Sequence, residues 1–368
     1  MAPTSVAVIG AGVFGGFTAL NLLERGARVI LIDPWGPGHS RASSGGESRV
    51  IRATYGPREI YTAWVVRSLE LWKQYETRWG LELYHRTGGL WLAGDDDDFE
   101  KQAVSLLRKH GVRFDELTSD DAARRFPQIH FGGVHWVIYE HDAGYLLARR
   151  ACQAVLEAFI EAGGTYIEQA AKRSGDTIVL SDGETVRADS YVFACGPWLS
   201  ELFPELGRDF ITPTRQEIYY FGTPRGDTRY NHGACPVWID NSAEVYYGIP
   251  GTEWRGFKIA CDSKGERVDP TTMDRVPRAD GIAAARAHME LRFPGMKDAP
   301  LVEARVCQYE MSADENFIID RHPDADNVWL VGGGSGHGFK HGPALGEHVA
   351  AAVLGAGEPD PLFRLSRF

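Results

Sequence analysis

VAVIGAGVFGGFTALNLLERGARVILID, residues 6–33, is the stretch on which the fold turns. Val6, Ala7, Val8 and Ile9 form a short apolar run, the pattern of a strand buried on both faces of a parallel sheet. Gly10, Gly12 and Gly15 follow as G-x-G-x-x-G. The first glycine of such a motif permits a tight turn, the second lets a pyrophosphate approach the backbone, and the third lets the helix pack closely on the strand. The helix that follows carries Phe14, Phe17, Ala19, Leu20, Leu22 and Leu23. Its N-terminus offers unpaired N–H groups and partial positive charge to a phosphate. A second apolar strand over 29–32 ends in Asp33, 18 residues after Gly15, near the spacing of about 20 at which a carboxylate meets a ribose hydroxyl. Strand, turn, helix, strand and acid together predict a dinucleotide site, which a glycine turn alone would not. An acid at the ribose disfavours a phosphate there, so FAD or NAD is expected rather than NADP.

Working outward, the 368 residues are 43% hydrophobic and 24% charged, which suits a globular protein with a large core and two domains. A net charge of −11 argues against nucleic acid or anionic membrane as the main partner. No apolar run is long enough to span a bilayer, and the first strand begins too early to leave room for a signal peptide. Cys152, Cys195, Cys235, Cys261 and Cys307 are odd in number and scattered, unlike a disulfide framework or a zinc site. A cytoplasmic setting is the simplest expectation, with no metal.

After Asp33 comes a Gly-, Pro- and Ser-rich loop over 34–46 that includes Ser43 and Ser44, with Arg49 and Arg52 just beyond. Loops at the C-terminal ends of parallel strands are where ligands bind, so this loop is a candidate second contact to a cofactor, followed by two cations. Residues 58–79 are expected to be helical, with Tyr61, Trp64, Val65, Leu69 and Trp72 as its core stripe. Strands around a turn at Gly88-Gly89 are expected over 82–94. Asp95 to Asp98 suits a turn that starts a helix over 99–110. A short capped helix is expected over 118–126, a strand over 132–139, and a helix over the whole of 145–162. Short strands at 166–167, 177–180 and 185–187 precede a buried strand over 191–194. That strand stops at Cys195-Gly196-Pro197-Trp198, where small residues allow backbone to approach a cofactor. Strands at 215–222, 236–240, 244–249 and 256–261 and a helix at 279–292 carry no glycine-rich nucleotide loop, which marks a substrate domain. Strands over 301–309, 317–320 and 328–331 return to the first pattern. The chain then closes on GGGSGHGFKHGPALGEHVAAAVL, a second glycine turn into a helix, in which Gly334, Gly336 and Gly338 are candidate backbone contacts to a ligand. The fold expected is α/β (α+β overall). It has a discontinuous Rossmann-type dinucleotide domain over 1–85, 141–212 and 301–368, and a mixed-sheet substrate domain over 86–140 and 213–300.

Four motifs carry a likeness over nearly the whole chain. They are the N-terminal fingerprint with Asp33; the block of Ser44, Gly46, Glu47, Ser48, Arg49, Ile51, Arg52 and Tyr55; Cys307-Gln308-Tyr309 with Asp314 and 317–320; and Gly336-His337-Gly338-Phe339-Lys340. In these the chain resembles the monomeric sarcosine oxidase family of FAD-dependent amine oxidases, within the D-amino acid oxidase-like superfamily. That family includes N-methyltryptophan oxidase, pipecolate oxidase and fructosyl amino acid oxidases. The resemblance implies FAD bound covalently through Cys307, with Arg49 beside the flavin and Tyr247 in the substrate pocket. It implies a substrate carboxylate held by Arg52 and Lys340, the latter in the glycine turn next to the cofactor. It makes Lys258 the group that promotes reaction with oxygen, by stabilising superoxide as it forms. Without the resemblance, Lys258 is a lysine in an apolar strand, a rare burial.

Two positions depart from the family pattern. Gly45 and Asp262 stand where sarcosine oxidases carry histidines, which predicts a pocket with more space and an added negative charge. The implied activity is oxidation of a secondary amine to an imine with release of hydrogen peroxide, by a monomer acting on a small amine and oxygen. A dehydrogenase with another electron acceptor, a NAD enzyme and a non-catalytic flavin-binding protein are the rival readings.

Overall fold

The computed structural model describes residues 3–175, 177–207, 210–252 and 255–368. Ser5–Ile9 lies near the centre of a six-stranded sheet, between Ser190–Phe193 and Arg28–Ile32, and is parallel to both. Thr165–Ile167 extends one side in parallel. Ala325–Gly332 extends the other in parallel, with Ile318–His322 antiparallel at the edge. Ile9 is in register with Phe193 and with Ile32, so three strands end together. Gly10, Asp33 and Ala194 therefore cluster at one rim of the sheet, the place where doubly wound sheets bind ligands.

Helix Val13–Glu24 is almost wholly buried. It is apolar all round because it packs against the helices Ala148–Glu161 and Gly342–Val353 as well as the sheet. Phe17 meets Trp72 edge-to-face, with ring centroids 5.2 Å apart, a favoured aromatic geometry. Trp72 belongs to helix Glu59–Trp79, where the expected stripe holds: Tyr61, Val65 and Trp72 are buried, with Trp64 and Leu69 packed partly buried against the same core.

The second large element is an eight-stranded sheet. Its order is Leu301–Met311, Thr212–Phe221, Phe257–Cys261, Tyr246–Ile249, Val237–Asn241, Gly89–Ala93, Trp136–Glu140 and Phe114–Thr118. Helix Ala279–Arg292 is pinned to it by Arg292, whose Nε donates to Asp240 Oδ2 at 2.5 Å. The short helix Ser119–Arg125 is capped as expected, with the Asp121 N–H donating to the Thr118 hydroxyl.

The helix expected over all of 145–162 is corrected at its start. Gly144–Leu147 is a strand, and the helix begins at Ala148. That strand pairs with Ser48–Ile51 and Tyr84–Arg86 in a small sheet, so Arg49 and Ser48 sit on a strand. The strand expected over 132–139 is confined to Trp136–Glu140. Among the described residues no helix is long and apolar enough to cross a membrane.

Candidate active site

A cavity of about 590 Å³ runs from the rim of the six-stranded sheet to the eight-stranded sheet. Gly10, Gly12 and Asp33 line one end, with Ser43 and Ser44 from the loop that follows. Gly10 has φ +106°, and a side chain there would meet the Ala194 carbonyl oxygen at 2.3 Å, so only glycine makes this turn. Gly15 lies behind the cavity rather than in it. A Cβ on Gly15 would fall 1.8 Å from the Gly10 carbonyl oxygen, which is the close helix packing expected of the third glycine. Asp33 accepts N–H bonds from Ala11 at 2.8 Å and from Trp35 and Gly36 at 2.9 Å. Burial pushes its carboxyl up, and these three bonds pull it back. Two carboxylate oxygens offer about four acceptor positions, so capacity for a ribose hydroxyl remains.

Gly196, Gly334, Gly336 and Gly338 also line the cavity. Arg49, Tyr247 and Cys307 line the other end. Arg49 donates to the carbonyl oxygens of Ser48 at 2.8 Å and Ser43 at 2.6 Å. Its burial opposes the charge, but Cys307 and the phenols of Tyr247, Tyr220 and Tyr309 outweigh that and hold it up. Cys307 is a free thiol.

Lys258 stands just outside the cavity lining. It is 1% exposed, and its Nζ donates to the Ser48 carbonyl oxygen at 2.9 Å and lies 5.6 Å from the centre of the Tyr247 ring. Burial, and then Arg49, lower its ammonium to about 7.

Arg52 and Lys340 converge on one side chain, Tyr55. The Arg52 guanidinium lies between the Tyr55 and Trp91 rings, 4.5 and 4.7 Å from their centres, and donates to the Thr54 carbonyl oxygen. Glu140 fixes this segment by accepting from the Ala53 and Thr54 N–H groups at 2.7 and 2.9 Å. Lys340 Nζ donates to the Tyr55 hydroxyl and the His337 carbonyl oxygen, both at 2.8 Å. Its side chain is thus turned towards Tyr55 and away from the cavity lining. Burial and the nearby Arg52 push the Lys340 ammonium well below its ordinary value, and burial and the nearby Lys340 keep His337 and His341 low. Among the described residues no carboxylate forms an ion pair with Arg52 or Lys340. A buried cation without a partner is costly, so this arrangement is suited to receive an anion.

Asp262 is an exposed residue at this end. Crowding by protein atoms pushes its carboxyl up, while a hydrogen bond from Tyr309, 3.0 Å, and the cations Arg52 and Lys340 pull it down. Gly45 is corrected. Its missing side chain adds no space to the cavity, because a Cβ there would strike the His39 carbonyl oxygen at 1.9 Å.

Sequence reading passed over the roles of Tyr55, His337 and Tyr309, although each lies in a quoted motif. It missed Glu310 altogether, and no local pattern marks that residue.

The residues present fit an extended dinucleotide. The Gly10 turn leaves backbone bare, Asp33 keeps acceptor capacity, and the buried Ser43 Oγ and Glu310 Oε2 on the lining have no partner. Fold and cavity together define an enzyme of the dinucleotide-dependent class. Residues 5–352 match the DAO family, described as FAD dependent oxidoreductase. Mouse peroxisomal sarcosine oxidase is 30% identical over 376 residues, covering 98% of this chain and 95% of that protein. Monomeric sarcosine oxidase of Streptomyces avermitilis is 31% identical, covering 96% and 94%. N-methyl-L-tryptophan oxidase of Yersinia pestis is 29% identical, covering 98% of each. L-proline dehydrogenase from P. horikoshii superposes with a TM-score of 0.87 at 21% identity, covering 100% and 98%. The chain belongs to the DAO family and is an FAD-dependent amine oxidoreductase.

Proposed function

We propose that this protein is an oxidase of secondary amines, acting on N-substituted α-amino acids of the N-methyl, cyclic or N-glycated kinds. The observation that carries the reading is the pair of unpaired cations, Arg52 and Lys340, gathered on Tyr55 beyond the flavin end of the cavity. A guanidinium fork and an ammonium together grip a carboxylate through charge-assisted hydrogen bonds. The names of the sarcosine and N-methyltryptophan oxidase relatives support a substrate that is both an amine and an acid.

FAD supplies the two-electron acceptor when bound. Arg52 and Lys340 hold the substrate carboxylate and so fix the carbon beside the nitrogen. Tyr247 and Arg49 enclose that carbon on the cavity side. The neutral amine loses a hydride equivalent from carbon and its N–H proton to water, and the resulting imine takes up water and hydrolyses. Lys258 holds a positive charge where oxygen accepts two electrons and two protons to leave as hydrogen peroxide. We assign FAD binding to 1–85, 141–212 and 301–368 and substrate binding to 86–140 and 213–300, in a cytoplasmic monomer.

Anaerobic bleaching of the flavin tests this with a panel of sarcosine, other N-methyl amino acids, pipecolate, proline, fructosyl amino acids and D-amino acids. Bleaching by one class, with peroxide on admitting air, is the expected result. Bleaching by none would exclude an amino acid substrate. Bleaching with slow oxygen uptake would give the electrons to another acceptor.

Covalent attachment through Cys307 is the second element of the proposal. Acid precipitation should carry the yellow colour into the pellet of the wild type and release it from Cys307→Ser. Colour in the wild-type supernatant would exclude the thioether.

Asp262 is expected to set substrate preference, because its negative charge beside the carboxylate clamp favours a second cationic or polyol group. Asp262→His should shift the ranking in the same panel towards sarcosine. An unchanged ranking would remove Asp262 from the substrate site.

A further inference from the structure

Glu310 stands on Leu301–Met311, three residues beyond Cys307, and lines the FAD cavity while only 8% exposed. Its Oε1 accepts the Gly334 N–H at 3.2 Å. Its Oε2 is buried with no partner. That oxygen points to where two backbone turns meet, since a Cβ on Gly196 would lie 3.4 Å from it and one on Gly332 3.6 Å. Gly196 follows one strand of the six-stranded sheet and Gly332 ends another.

Among the described residues no cation faces Glu310. Burial is the main force on its carboxyl, only partly offset by the Gly334 N–H, and pushes it up to about 7. The titratable group that faces it is the Cys195 thiol, itself pushed up by burial. The acid form is therefore favoured, and a protonated carboxyl has one O–H to donate. Leaving such a group unsatisfied is costly. Asp33 and Gly12 mark the nucleotide end of the cavity, and Arg49, Tyr247 and Cys307 the flavin end. Glu310 is three residues from Cys307 on one strand, and Cys195 feels both Asp33 and Glu310, which places Glu310 where the hydroxyl and phosphate oxygens of a bound cofactor would run. An ionised carboxylate would repel the pyrophosphate there, whereas a neutral acid can donate to it.

We propose that Glu310 is a positioning residue, carried as a neutral acid, whose Oε2 donates a hydrogen bond to an oxygen of the ribityl–pyrophosphate segment of FAD. Bound FAD then holds the proton more tightly than the empty cavity does, so the stability that FAD lends the holoenzyme weakens as pH rises above about 7. The inference rests on the cofactor and not on the substrate proposed above.

The test is the temperature at which the holoenzyme releases flavin fluorescence, followed across neutral and mildly alkaline pH in the wild type, Glu310→Gln and Glu310→Ala. The amide keeps a neutral donor and the alanine does not. At pH 6 the wild type and Glu310→Gln should match, with Glu310→Ala several degrees lower. Above pH 7 the wild type should fall relative to Glu310→Gln. Wild-type and Glu310→Gln profiles that run parallel would overturn the proposal, even if Glu310→Ala fails to fold. So would a Glu310→Ala protein that matches the wild type throughout. Anaerobic bleaching of the same samples separates the two ideas: flavin that no amine bleaches sinks the proposed function and leaves this test standing.

Discussion

Replacing Lys258 by methionine is expected to slow reaction with oxygen by about 10²–10³-fold, the loss typical of removing one preorganised charge from a dry site. Anaerobic bleaching by the substrate should be nearly unchanged, because Lys258 touches Ser48 and not the carboxylate clamp. The lysine sits on an inner strand of the eight-stranded sheet at 1% exposure, and its Nζ donates to a carbonyl oxygen, with no carboxylate partner among the described residues. Such a group costs stability and persists where its charge has a use. Methionine has a similar length and no charge, so the variant should fold at least as well, and a slower oxidation could not be put down to unfolding.

The pH profile makes the case sharper. With the ammonium lowered to about 7, the charge is complete below that pH and is lost as pH rises through it. Wild-type reaction with oxygen should therefore decline from about pH 7 upwards, later if negative charge nearby retains the proton. The Lys258→Met profile should be flat. Stopped-flow mixing of substrate-bleached enzyme with oxygenated buffer gives both numbers. A methionine variant that keeps the wild-type rate would remove Lys258 from the oxygen reaction.

How far these residues could be read from the sequence depends on whether their signals are local. The turn at Gly10 to Gly15 and the acid at Asp33 are set by short-range geometry, and the structure places them at the rim that the spacing implies. Gly144–Leu147 was hidden for a general reason. A short apolar run ahead of a helical pattern looks the same as the first turn of that helix, and only its pairing with Ser48–Ile51 reveals a strand. Lys258 to Ser48 spans 210 positions, so no window of sequence contains both. Glu310 gave no signal because a glutamate in a strand is ordinary until its burial is known. Gly45 misled in the opposite sense. An absent side chain suggests space, but here it clears a carbonyl oxygen of its own loop.

The carboxylate clamp should show the other large effect. Truncating one partner of a buried charge pair costs about 2–5 kcal/mol, which at 1.4 kcal/mol per tenfold is a loss of between about 30- and 4,000-fold in affinity. Arg52→Gln and Lys340→Met should each fall in that range for a simple carboxylate such as acetate, with binding read from the flavin spectrum. Acetate is the right probe because it has no amine whose own proton would confuse the pH dependence. The two cations share one ligand and one tyrosine, so the double variant should lose much less than the sum of the singles.

The two residues should differ in how they respond to pH. Lys340 is held well below its ordinary value when no anion is present, and an incoming carboxylate restores its charge. Binding therefore takes up a proton, and wild-type affinity for acetate falls as pH rises. An arginine guanidinium is not deprotonated in proteins. Arg52→Gln should thus bind weakly and keep a downward slope, moved to higher pH because Arg52 no longer depresses Lys340, and Lys340→Met should bind weakly with none. Tyr55 still has His341 Nε2 at 2.8 Å when Lys340 is lost, so its hydroxyl is not orphaned and the fold should hold. A slope that survives in Lys340→Met would mean that the proton is taken up elsewhere and that the lysine is not the ammonium of the clamp.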